Sequence, residues 1–386
     1  MRFGLLLLAA VLSLSGCGPG TAKGSESAEA AQEREFGETA ADMGMALLNG
    51  YIKKDSNIAV SSLPVITVCS MLGMGSKGKT REQIEAAMGM ESMALARQLD
   101  ETSTRMADSA GLYTAGSLWT KGGIRDIYKD MARDLYFADI RETDFGKDAK
   151  SQMNQWARDK TGGMVSSIIE DVKPDTACIL ISAASFKGKW ESSFAESTGI
   201  FHGYKGAGTE AGMLRGMAEE TVSLHGGRGF VKYYEGRGLA FIAILPGSGT
   251  DIEAFAAGIS GKDLIKMWES RSEETAEVSI PAFDARLGAD IKPVVERAGI
   301  RDIFTKGADF SGMSDQPITV DGIFHKARVV VTKDGTKAGA AAASSMAVID
   351  GLDDTKELIF DRPFFYEIVD TSTGAPVFMG IVKEAS

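Results

Sequence analysis

The apolar positions of the chain change their spacing partway along. From Phe36 to Ile52 they fall at Phe36, Ala40, Met43, Leu47 and Leu48, the spacing of a helix with one buried face. Ser61 to Leu72 is largely apolar and reads either as a second helix or as a buried strand. TREQIEAAMG predicts a third helix, with Thr80 as N-cap and Gln83 three residues on, as in a capping box. GLYTAGSLW then reads as a strand, and GIRDIYKDMARDLY and SQMNQWARDKTGGMVSSII as helices, the last broken at Gly162 and Gly163. In the second half the period shortens. TACILISAASF, FVKYYEG, LAFIAILP, AEVSIPAFDARL, VVVT, FFYEIV and APVFMGIV read as strands between Gly, Pro and Asp turn signals, interrupted by helices around Asp251 to Ile259 and Ile291 to Ala298. With helices early, strands late and no repeat of fixed period, the order predicts an α+β fold with mostly antiparallel sheets.

Composition narrows the class. The chain has 386 residues, 44% hydrophobic and 25% charged, a globular balance with enough apolar material for a sizeable core. Its net charge of -11 argues against a nucleic-acid partner held on a broad basic face. His202, His225 and His325 are far apart and no Cys/His cluster is present, so no metal or other cofactor is expected. Cys69 and Cys178 sit in the apolar runs VITVCSML and TACILIS, where a small buried hydrophobe is the expected role.

Cys17 has a different setting. MRFGLLLLAAVLSLSGC combines a basic start at Arg2, an apolar run from Leu5 to Leu14 too short to span a bilayer, and small residues before the cysteine, the make-up of an export signal. LSGC resembles the lipobox of bacterial lipoproteins. That likeness implies a signal peptide over 1–16, lipidation of Cys17 at the mature N-terminus, and a flexible tether over 17–34. The expected location is a lipid anchorage on a bacterial membrane, at the outer membrane or cell surface, or free secretion if Cys17 is unmodified.

GMGSKGKT, residues 73–80, fits the phosphate-loop pattern from Gly73 through Gly78 and Lys79 to Thr80. A working loop follows a buried strand, and another strand ends on a magnesium-binding Asp. ACILIS and FIAILP end without an Asp, and only EIVD closes on one, at Asp370. The order of elements also disagrees with a parallel phosphate-loop sheet, which leaves nucleotide binding a remote alternative. No G-x-S-x-G elbow or triad is apparent, and no catalytic residues are expected.

Between ARVVVT and FDRPFF runs KDGTKAGAAAASSMAVIDGLDDTKEL, which has no evident core face; Gly335 and Gly339 oppose a helix, and the alanines bring little area to pin one down. A long loop inside a compact domain is usually functional. At a period of two its character changes. Thr336, Ala338, Ala340, Ala342, Ser344, Met346 and Val348 form one face, all small or apolar, with Lys337 on the other, so the segment could become a buried strand.

At this point the chain resembles a family, the serpins, from about residue 35 to the C-terminus. The likeness lies in NIAVSSLPVITVCSMLGMGSKGKTREQI, MNQWARDKTGG, SFKGKWESSF, LAFIAILP, GADFSGMSDQPITVDGIFHKARVVVTKDGTKAGAAAA and FDRPFF. It makes GMGSKGKT a structural turn between two helices. The resemblance implies a domain over 35–386 with three β-sheets, eight or nine helices and an exposed reactive loop at about 334–356. It implies a monomeric suicide-substrate inhibitor, not an enzyme: a protease attacks the loop, forms an acyl-enzyme, and is dragged away and distorted as the loop inserts into the large sheet. The hinge residues would be Gly335, Thr336, Ala338, Ala340 and Ala342, compatible with entry into a packed sheet. A non-inhibitory relative, acting as a binding or structural protein, would more often show bulky, charged or Pro residues there.

The same resemblance places Ser61 and His325 in the shutter, where the sheet opens, with Ser182 in place of a usual Asn and Pro64 in place of a second Ser. Trp190 matches the Trp of the breach at the top of the sheet. Lys333 replaces a usual Glu and Ala282 stands where its basic partner is common, so that ion pair is expected to be missing. Counting forward from Gly335 puts the reactive bond between Ile349 and Asp350; counting back from Pro363 favours Leu352, and Met346 and Leu352 are kept as secondary bonds. An aliphatic residue there implies a partner protease that is elastase-, chymotrypsin- or subtilisin-like, or a papain-like cysteine protease.

Overall fold

The computed structural model describes residues 28–53, 55–106, 111–204, 206, 208–335 and 356–385. Helix α1 (Ala28–Tyr51) leads through strand β1 (Ile58–Val60) into α2 (Leu63–Gly75), α3 (Gly78–Met88) and α4 (Ser92–Met106). Next come β2 (Leu112–Thr120), α5 (Asp126–Tyr136), β3 (Asp139–Glu142) and α6 (Ala149–Lys160). A run of strands follows: β4 (Cys178–Phe186), β5 (Ala195–His202), β6 (Gly208–Ala218), β7 (Glu220–Leu224), β8 (Gly227–Tyr233) and β9 (Leu239–Leu245). After α7 (Ile252–Ala257) and α8 (Gly261–Glu269) lie β10 (Ala276–Pro281), β11 (Phe283–Asp290), α9 (Lys292–Arg297) and β12 (Gly322–Val331). The last described strands are β13 (Lys356–Ile359), β14 (Phe364–Asp370) and β15 (Pro376–Val382).

The strands form three sheets, ordered β11-β12-β4-β2-β3, β1-β15-β14-β9-β8-β7 and β13-β10-β6-β5. The α+β architecture matches the expectation, with nine α-helices among the described residues. AEVSIPAFDARL is two strands rather than one: β10 and β11 change sheet across Ala282. The run after Ser61 is a helix, opened by Pro64, where the missing N–H needs no partner. It is buried on nearly every side, which is why its pattern has no polar face to reveal the period.

Two local expectations are corrected. Thr80 does not cap α3, which starts at Gly78 after Lys77. The Thr80 hydroxyl accepts instead from the Asp309 N–H at 3.0 Å, and Gln83 Oε1 accepts from the N–H groups of Arg301 and Asp302. The complete capping box belongs to α8, where Ser260 and Asp263 satisfy each other's N–H groups. In addition α1 begins at Ala28, within the stretch expected to be tether.

Aromatic rings from the strands around the six-stranded sheet make the densest part of the core. Phe241 lies 5.9 Å from Tyr366 and 6.4 Å from Phe283, and Phe360 lies 5.1 Å from Phe364. Burying each such ring stabilises the fold by about 1.5–3 kcal/mol. The five-stranded sheet is held differently. Helix α2 backs β2 and β4 on one side, and a smaller cluster including Trp119, Met153, Trp156 and Ile181 covers its other side.

Candidate functional site

A parallel pair, β4 with β12, lies at the centre of the five-stranded sheet; Leu180 is opposite Ile323, Ser182 opposite His325, and Phe186 opposite Val329. Along β12 the odd-numbered residues from Ile323 to Val331 are buried, while the even ones are partly exposed. Small residues cluster at the middle of β4, Ser182 to Ser185, with Ala327 opposite Ala184. Parallel pairing across this seam is slightly less stable per residue than antiparallel, as it also is between β2 and β3 at the edge of the same sheet.

One imidazole crosses the seam. His325, fully buried on β12, accepts from the Ser61 N–H through Nε2 at 3.3 Å and meets Ser182 Oγ through Nδ1 at 2.9 Å. Because Nε2 is the acceptor, the proton sits on Nδ1 and is donated to Ser182. Burial pushes the imidazole pKa down to about 3, so the ring is neutral. Ser61 Oγ in turn donates to the Val377 carbonyl at 2.7 Å, which ties the seam to β15. The structure therefore brings together Ser61, Ser182 and His325.

At the head of the seam the chain reverses direction. Thr332 and Gly335 exchange both backbone hydrogen bonds, at 2.8 and 3.2 Å, closing a two-residue turn over Lys333 and Asp334. Gly335 also bridges antiparallel to Lys189, just beyond β4. Only glycine fits: its φ is +123°, and a Cβ would meet the Gly188 carbonyl oxygen at 2.2 Å. Trp190 holds the turn, donating from Nε1 to the Thr332 carbonyl at 2.9 Å and from its backbone to Asp334 at 3.3 Å. Its ring stacks on Tyr234 at 4.3 Å. The Lys333 ammonium pairs with Glu196 of β5 at 3.0 Å.

Thr336, Ala338, Ala340, Ala342, Met346, Ile349, Asp350, Leu352 and Cys17 lie outside the described residues. The phosphate-loop match is overturned. A helix, not a strand, precedes it, and the Lys77 N–H that would face a phosphate is taken by the Asp309 carbonyl at 2.9 Å. Cys69 and Cys178 are buried free thiols, and burial raises Cys69 to about 12. Charged residues of the core escaped the pattern reading, among them Lys232 in FVKYYEG, Glu367 in FFYEIV and Lys383 after VFMGIV. The available signal was a charge inside or directly after an apolar run.

These features define a class: a single large α+β protein whose main sheet closes over a parallel seam, with a chain already turned back at its head. The family model described as Serpin (serine protease inhibitor) matches residues 38–384, and the chain belongs to this family. Neuroserpin of Gallus gallus is 26% identical over 378 residues, covering 89% of this chain and 90% of that protein. Iripin-1 of Ixodes ricinus is 27% identical over 368 residues, covering 88% and 92%. Among solved structures, the thermophilic serpin tengpin in its native state superposes with a TM-score of 0.83 at 26% identity, covering 91% of this chain and 94% of that one. Human thyroxine-binding globulin with its bound hormone superposes at 0.81 with 20% identity, a likeness of fold. Serpins are generally protease inhibitors rather than enzymes.

Proposed function

We propose that this protein is a single-use inhibitor that traps a serine protease by inserting its cleaved reactive loop between β4 and β12. One observation carries the reading. The pairings of Gly335 with Lys189 and with Thr332 agree with the same register that β4 and β12 keep with each other. Continued downward, that register sets Ala338 between Phe186 and Val329, Ala340 between Ala184 and Ala327, and Ala342 between Ser182 and His325. The even-numbered loop residues would then share the buried face of the odd β12 residues, the small and apolar face of the loop. The entering strand runs antiparallel to both neighbours, so one parallel ladder is exchanged for two antiparallel ones.

The reactive bond is Ile349–Asp350, with Met346 and Leu352 as secondary positions, and the partner is an elastase-, chymotrypsin- or subtilisin-like protease, or a papain-like one. Thr336→Arg tests the mechanism by placing a charge on the first inward position, where an unpaired buried charge costs several kcal/mol. The parent should form an SDS-resistant complex and become markedly more heat-stable once its loop is cut; the variant should be cleaved as a substrate. A parent that gives neither complex nor heat stability against such a panel is a non-inhibitory binding protein. Mass spectrometry of the released C-terminal peptide identifies the bond, and cleavage only after Lys333 or Lys337 would overturn the aliphatic specificity.

The same proposal includes anchorage through lipid on Cys17. The parent should take up labelled fatty acid and partition into detergent, and Cys17→Ser should do neither; an unlabelled parent is a freely secreted inhibitor.

A further inference from the structure

Lys232 is a cation in a place where a strand pattern calls for an apolar residue. It lies on β8 opposite Phe241, only 4% exposed. Its ammonium donates to Ser192 Oγ at 3.0 Å and to the Met217 carbonyl of β6 at 3.1 Å, and sits 4.5 Å from the centre of the Phe194 ring. Ser192 and Phe194 are the two ends of the short turn beyond Trp190. That turn bears directly on the hinge: the Phe194 N–H donates to the Lys333 carbonyl at 2.9 Å, and the Phe194 ring meets Trp190 edge to face at 5.4 Å. A single buried ammonium thus joins β8, β6 and the segment that grips residues 332–335.

We propose that Lys232 is a positioning residue for loop insertion: it clamps the Ser192–Phe194 turn against the body of the protein and so holds the hinge turn at 332–335 at the head of the seam until the loop is cut. The inference rests on the insertion reading above. An apolar side chain would fill the space but could not bridge a hydroxyl, a carbonyl and a ring face at once. The charge is not neutralised by contact. Glu191 from the same turn and Glu219 beyond β6 act on it from a distance, and both are engaged by Arg237, at 3.2 and 2.5 Å; Glu196 beyond Phe194 is taken by Lys333. Burial therefore prevails and holds the amine down to about 8.

The test is amide exchange at Phe194 together with the rate at which the uncut protein, on prolonged warming, becomes heat-resistant and inactive, as it would if the loop entered the seam uncut. Lys232→Met should speed Phe194 exchange about tenfold, the scale of one lost hydrogen bond, and quicken conversion, while the midpoint of global unfolding stays unchanged or rises. Ser192→Ala, an exposed and mild change, should move both readouts in the same direction by less. In the parent, Phe194 protection, corrected for intrinsic exchange, should weaken as pH passes about 8; in Lys232→Met that step should vanish. Equal protection in parent and Lys232→Met, or a loss that only follows global stability, overturns the clamp. Complex formation by the parent is scored separately: its absence sinks the insertion reading, while the exchange data still decide whether Lys232 holds the turn.

Discussion

The seam of the five-stranded sheet and the core of the six-stranded sheet are built from opposite materials. Across the seam, Ser182, Ala183 and Ser185 of β4 face His325, Lys326 and Arg328 of β12 in a parallel ladder, Ala184 faces Ala327, and one neutral imidazole carries the polar link from Ser182 to Ser61. In the other sheet every neighbouring pair is antiparallel, and its Phe230, Phe241, Phe364 and Tyr366 interlock with Phe283 of β11 and Phe360 beyond β13 at about 5–6 Å, a separation that favours edge-to-face and offset pairs. The contrast separates two duties. The aromatic core concentrates buried ring area, and the proposed insertion would part only the seam.

The contrast breaks first at Phe241. Phe241→Ala should lower global stability by about 3–5 kcal/mol in denaturant unfolding, because the ring is fully buried among four others. A loss as large from Ser182→Ala, at the polar link of the seam, would refute the contrast.

The two regions should also answer to pH from opposite sides. Glu367, fully buried on β14 between Met379 and Ile242, has no hydrogen-bond partner for either oxygen among the described residues. Burial raises its pKa from 4.5 to about 8. The native state then keeps a proton that the unfolded chain releases, so this carboxyl weakens the fold as pH rises from 4.5 to about 8, by at most about 1.4 kcal/mol per pH unit. Relative to the parent, Glu367→Gln should gain stability steadily across that window. His325 acts the other way: its pKa is held down to about 3, so below 6.5 the unfolded state takes a proton the native ring refuses, and stability falls with acid. Thermal unfolding at pH 5 and pH 8, in parent and Glu367→Gln, separates the two; identical curves would remove Glu367 as a liability.

The smallest expected change is at Ser182. Ser182→Ala leaves the His325 Nδ1–H without its acceptor and should cost about 1 kcal/mol of global stability. It should nevertheless quicken spontaneous conversion of the uncut protein, since the lost bond spans the seam itself. Lower stability with unchanged conversion would place the opening elsewhere.

Much of this was legible along the chain. Amphipathic periods located α1, α5 and α6, and alternating or apolar runs located β2, β4, β8, β9, β12, β14 and β15. The strands β5 and β6 went unseen because AESTGIFH and GTEAGMLRGMA carry few large apolar residues, and α4 went unseen for the same reason in SMALARQLDETSTRM. Ser61, Ser182, His325 and Trp190 were reached through resemblance, not through any local pattern, because their contacts join segments far apart in sequence.

The sequence by itself determined the elements with a strong period, the helix-then-strand order, and the small-residue face of the loop, because backbone geometry imposes those spacings on any chain that must bury one side. The tertiary structure alone decided which strands share a seam, that Gly335 already bridges both of them, that Lys333 is answered by Glu196 across sheets, and that Lys232 reaches the hinge through Ser192 and Phe194. Pairings of that kind are fixed by packing between distant segments, where burial and partner geometry set the energy of a group and its neighbours in sequence do not.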